Sequence, residues 1–126
     1  MKRAYYFWLA AILALAFGLL MFFAPAFAAT QFQLTGSPAT ATIFRVLGAV
    51  MLGVATLNFL VRNHQMSETL KAVLWANTVI HTVGFLGDLW SVSLGEIPLA
   101  GVAAGLVAHL IVLAGALYYL WKPSAP

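Results

Sequence analysis

The sequence predicts an all-α polytopic membrane protein, a four-transmembrane-helix up-down bundle forming one domain over residues 1–126. Three observations predict it. The chain is 63% hydrophobic and 7% charged, with a mean hydropathy of +0.99, whereas soluble domains carry about 25% charged residues. Four stretches, 4–24, 43–61, 72–90 and 98–121, each supply the roughly 20 apolar residues that cross a hydrocarbon core. Five of the six basic residues fall where the ends of those stretches share one side of a membrane. With their caps, the helices are expected over about 4–24, 38–61, 68–90 and 97–121.

The first span follows Lys2 and Arg3, and Ala26-Phe27-Ala28 imitates a signal cleavage site. Its apolar run exceeds the 7–15 residues of a signal h-region, so it is expected as a retained helix. Rich in aromatics (Tyr5, Tyr6, Phe7, Trp8, Phe17, Phe22, Phe23) and free of intramembrane charge, it reads as scaffold or lipid-facing wall. The uncharged segment 25–42 ends in Ser37-Pro38, an N-cap followed by proline at the first helical position.

The second span holds Arg45, the small-residue seam Gly48, Ala49 and Gly53, and Asn58. Ser67 then caps the third span, with Glu68 in its first turn where the helix dipole favours an anion. Glu68 and Lys71 are three apart and form an exposed pair of little weight; His64 lies in the solvated loop. On the third span Asn77, His81 and Asp88 share one face at 100° per residue. A tight hairpin at 91–97, flanked by Glu96, leads to the fourth span, where Gly101, Gly105 and His109 recur every four residues as a helix-packing seam.

Lys2, Arg3, Arg62, Lys71 and Lys122 orient both termini toward the cytoplasm of a cell inner (plasma) membrane by the positive-inside rule. Tyr5, Tyr6 and Trp8 with Tyr118, Tyr119 and Trp121 fall at that same interface as an aromatic belt. The net charge of +3 is too scattered for nucleic acid. The absence of cysteine removes disulfides, Fe–S ligation and thiolate metal sites, and no metal set is evident.

Ionisable and amide groups within spans are costly and mark function or packing. Arg45 and Asp88 lie at similar depth on neighbouring spans and are expected to pair, Arg45 alternatively snorkelling to headgroups. Asn58 and Asn77 are expected to meet as an interhelical polar contact. His81 and His109 lie mid-span on antiparallel helices, a geometry that suits an interhelical hydrogen bond, axial tetrapyrrole ligation or a hydrogen-bonded quinone.

The run Phe44-Arg45-Val46-Leu47-Gly48-Ala49-Val50-Met51-Leu52-Gly53, continuing to Asn58 and Arg62, resembles the second helix of small uncharacterised bacterial four-helix integral membrane proteins that are loosely DoxX-like. The resemblance implies a four-helix bundle. DoxX-like proteins are associated with quinone-linked oxidation, which implies a ligand for Arg45, His81 and Asp88 to hold; no catalytic motif is carried over.

Three functions follow. The first is a non-catalytic structural or accessory subunit, embedded in the lipid bilayer and packing into a homo-oligomer or larger membrane complex. The second is a redox-associated protein binding quinone or tetrapyrrole through His81 and His109. The third is a small oligomeric channel or transporter. The absence of a proline-broken span, of HExxH and of a phosphate-binding loop weighs against an enzyme or transporter.

Overall fold

The computed structural model describes residues 3–122; Lys2, a contributor to the topology argument, and the tail 123–126 lie outside the described residues. The described chain is all-helical: α1 (Arg3–Phe23), α2 (Pro25–Gln31), α3 (Pro38–Val61), α4 (Glu68–Ser93) and α5 (Leu99–Trp121). All but α2 are long and apolar enough to cross a membrane.

Local chemistry sets the ends. Ser37 Oγ accepts from the Thr40 amide at 3.0 Å with Pro38 beginning α3, and Ser67 Oγ accepts from the Leu70 amide at 3.2 Å to begin α4. The apolar count stopped the third span at 90, but α4 runs to Ser93 and closes on Gly95 at φ +72. There the Glu96 amide bonds to Ser91 O and the Gly95 amide to Val92 O, the double bond of a Schellman cap. Pro98 is the N-cap of α5, whose first helical residue is Leu99, two residues later than expected.

The segment after α1, an uncharged connection with no helix expected before residue 38, contains α2. Pro25 pre-sets the first helical φ, and the Leu34 and Gln33 amides bond Ala29 O and Thr30 O in a second Schellman cap, with Gln33 at φ 56 taking the left-handed position that glycine usually fills.

The helices associate as two pairs. The heaviest packing is α1 on α3, then α4 on α5, while α1 and α5 join the pairs more thinly. Close approach of α1 and α3 rests on Gly48: a Cβ there would stand 2.7 Å from Phe22 N and 2.8 Å from Gly18 O. The packing face of α3 is Phe44, Gly48, Ala55 and Asn58. Ala49 and Gly53, assigned from the sequence to that seam, are exposed, and Gly53 has nothing within 4 Å of its added Cβ; the face is turned by one residue from the expected one.

Helix α1 is not an outer wall. Tyr6, Phe7, Ala10, Ala11, Ala14, Gly18 and Met21 are buried, making it the best-buried span. Its small residues at three- and four-residue steps let neighbours approach, while Trp8, Leu15 and Phe23 remain outside. The aromatic belt divides likewise: Tyr5, Trp8, Tyr118 and Trp121 are exposed, but Tyr6 and Tyr119 turn inward with ring centroids 5.7 Å apart.

Two apolar clusters close the bundle. One unites Tyr6, Phe7, Leu70, Leu74, Val112 and Ala116, and the other Met21, Ala28, Ala29 and Phe44. Their membership places the first near the α1 start and the second near the α1 end.

The glycines of α3 give a paired test. Gly48→Ala drives a methyl group into backbone that has no rotamer to yield and is expected to destabilise by about 1–3 kcal/mol. Gly53→Ala is expected to be neutral or mildly stabilising through helix propensity. Equilibrium unfolding of the detergent-solubilised variants checks both.

Candidate functional site

Between the two clusters lies a cavity of about 300 Å³, at the lower end of the range that ligand sites occupy. Helix α1 contributes Ala10, Ala14, Phe17 and Met21, α3 contributes Leu47 and Met51, and Phe32 closes one side. The wall formed by α4 and α5 differs: there His81, Asp88 and His109 stand among Ile80, Gly84, Gly105 and Ala108. Among the described residues, these three are the only ionisable ones lining the cavity.

Positions 81, 84 and 88 return to one face of α4, so the helix points His81, the space over Gly84, and Asp88 toward α5. His81 Nδ1 and His109 Nδ1 are 2.9 Å apart, a hydrogen bond between imidazoles whose centroids are 5.1 Å apart. The other nitrogen of His109, Nε2, faces Asp88 Oδ2 at 3.8 Å, an electrostatic contact longer than a hydrogen bond. The result is a chain His81–His109–Asp88 running along the cavity wall.

Two glycines make room for it. A Cβ on Gly84 would meet His109 Cε1 at 2.6 Å and Nε2 at 2.8 Å, so the imidazole lies against bare helix backbone. A Cβ on Gly105 would come to 3.3 Å from Asp88 Oδ2. Gly105 thus serves the site more than a helix seam, and Gly101 approaches the Phe32 carbonyl, at 3.0 Å from an added Cβ. Gly84 escaped the sequence reading; its place three residues after His81 was the available signal.

One turn before His81, Asn77 holds a second polar cluster. Its Nδ2 donates to Asn58 Oδ1 at 2.7 Å and to the Tyr6 hydroxyl at 3.1 Å, and Asn58 Nδ2 donates to Val54 O at 2.9 Å and Asn77 Oδ1 at 3.4 Å. Asn58 and Asn77 are 0% and 2% exposed. Tyr6 was missed because an aromatic residue at a span end reads as interfacial belt. Gly115 admits its ring.

The expected Arg45–Asp88 ion pair is not formed. Arg45 is exposed on α3, and the acidic group faces His109 instead. Matching depth along antiparallel helices says nothing of which helices are neighbours, and α3 makes its main contact with α1 while α4 makes its own with α5. Glu68 and Lys71 pair at 2.8 Å on the surface, His64 is exposed with its carbonyl accepting from Arg3 Nη2 at 2.6 Å, and Glu96 flanks α5 without a side-chain cap. The Arg62 guanidinium covers Phe59 at 3.7 Å and Trp8 at 5.2 Å and donates to Phe59 O.

No group of three His, Asp or Glu suited to a metal ion occurs among the described residues. Comparison with family models, curated proteins and solved structures gave no match to this chain.

The amide cluster predicts a measurable coupling. Asn77→Leu leaves Asn58 and Tyr6 short of partners and is expected to cost about 1–2 kcal/mol. Asn58→Leu combined with Asn77→Leu is expected to cost less than the sum of the two single changes, as a double-mutant cycle of unfolding free energies will show.

Proposed function

We propose that this chain is a multi-pass membrane protein that binds a lipid-soluble molecule with a small hydrogen-bonding head, a quinone being the representative case. The observation that carries this reading is the cavity itself, apolar on every side except where His81, His109 and Asp88 line it. An apolar pocket with a few convergent polar groups is the common form of a small-molecule site. The head would lie against the histidines, and the tail would leave past Leu47 and Ile80, both exposed at the cavity edge, toward the bilayer.

A quinone suits this geometry better than a tetrapyrrole. The two Nδ1 atoms already bond one another at 2.9 Å, which leaves His81 Nε2 as the ring nitrogen available to hydrogen-bond a head group. Apolar clusters at both ends of the bundle speak against a pore through one protomer. The topology read from the sequence, with both termini cytoplasmic in an inner membrane, draws support on one point from the Arg3 contact to His64, which sets Arg3 on the same side as the connection that carries Arg62.

Isothermal titration of nanodisc-embedded protein with decylbenzoquinone tests the reading. Saturable binding is expected, with loss of at least tenfold in affinity for Ala108→Phe, which fills the cavity, at unchanged thermal stability. Absence of saturable binding by the wild type would overturn it.

A second reading, packing into a homo-oligomer or larger membrane complex as an accessory subunit, rests on a different observation. On α3, Ala49 and Gly53 are exposed small residues one and two turns beyond the exposed Arg45, the kind of surface along which another helix packs closely. Native mass spectrometry of the gently solubilised protein is expected to show more than one copy, or added subunits. Gly53→Leu should reduce that mass to one protomer.

A further inference from the structure

Resting on the ligand reading above, we propose that the His81–His109–Asp88 chain selects the head group of its ligand by the protons it holds: without an added proton it takes a hydroxyl, and with one it takes a carbonyl. The argument begins with the 2.9 Å separation of the two Nδ1 atoms. Two lone pairs do not face each other at that distance, so one nitrogen carries a hydrogen and the other receives it.

The carboxylate decides which. With Asp88 ionised and both imidazoles neutral, the hydrogen on His109 belongs on Nε2, the atom 3.8 Å from Asp88 Oδ2. His109 Nδ1 is then a lone pair, His81 Nδ1–H donates to it, and His81 Nε2 is left as an acceptor. That nitrogen has no partner within the described chain, and its ring lines the cavity. The ligand group that satisfies it is an O–H.

One added proton reverses each link. Whether the result is a neutral Asp88 carboxyl or a His109 imidazolium, His109 Nδ1–H now donates to His81 Nδ1. His81 Nδ1 gives its hydrogen to His109 Nδ1 and the added proton goes to His81 Nε2, which becomes a donor whose partner must be a carbonyl or other lone pair. The switch needs no movement of the backbone: hydrogens change place between His81 and His109, already bonded at 2.9 Å, and the Asp88 side chain stands 3.8 Å from the far nitrogen.

The surroundings leave the chain of groups to itself. From α1 the cavity receives Leu13, Phe17 and Met21, from α3 Leu47 and Met51, and from the segment after α2 Phe32, none of which titrates. Among the described residues lining the cavity, α5 contributes one ionisable group, His109, and α4 two, His81 and Asp88, while Glu68, Lys71, Tyr118 and Tyr119 on the same helices do not line it.

The experiment compares decylphenol, a hydroxyl head, with decylbenzoquinone, a carbonyl head, by titration into nanodisc-embedded protein between about pH 5 and pH 9. The ratio of affinities, phenol over quinone, is expected to rise with pH by about tenfold or more, the scale of one mismatched buried hydrogen bond. Asp88→Asn is expected to move the midpoint of that rise to lower pH, because the carboxylate that helps hold the proton has gone. A ratio that stays flat in the wild type while both probes bind overturns the switch and leaves the ligand reading standing. Failure of both probes to bind at every pH overturns the two together. A midpoint unmoved in a folded Asp88→Asn protein overturns the assignment of the carboxylate.

Discussion

Inside hydrocarbon a polar side chain has no water to fall back on, and the polar face of α4 is the constraint around which the other helices are arranged. Asn77, His81 and Asp88 occupy one side of that helix, and each finds its partner on a different element or through a neighbour that does. Asn77 reaches α3 through Asn58 and α1 through Tyr6, while His81 and Asp88 both meet His109 on α5. Apolar packing alone would tie α4 chiefly to α5. The amide and phenol contacts add the link between the two helix pairs, at a cluster with little exposure to the lipid.

Glycine makes this arrangement possible in a second way. Where Gly48 removes a side chain, two helix backbones come together. Where Gly84 removes one, an imidazole takes the space instead. The same residue type thus serves helix packing in one pair and the seating of a cavity-lining imidazole in the other, and only the neighbour distinguishes the two uses.

The spans and caps were legible because they depend on near neighbours in the chain: twenty apolar residues, Ser37 before Pro38, Ser67 before Glu68. The polar stripe of α4 was legible for the same reason, since helical periodicity is a local property. Helix pairing was not. In a bilayer the outward and inward faces are both apolar, so the contrast that orients a soluble helix is nearly absent, and α1, read as a wall, lies within the bundle. The counts that set Arg45 level with Asp88 carried depth and no azimuth. Small residues pointed to close packing but left the face of α3 uncertain by one position, enough to exchange buried Gly48 for exposed Ala49. Tyr6 illustrates the remaining gap: its residue type suits a headgroup boundary, and only the partner on α4 reveals that its hydroxyl is needed inside.

The cavity lies between two joints. Toward one end the pairs are fastened by Tyr6, Asn58 and Asn77; toward the other, the Phe32 carbonyl lies against Gly101. A body clasped at both ends yields most easily at its waist, and here the waist is where the histidines lie. On the proposed ligand reading, a guest molecule entering from the bilayer would act as a wedge between intact helices, and the work it did would be elastic bowing of the bundle with no helix unwinding to admit it.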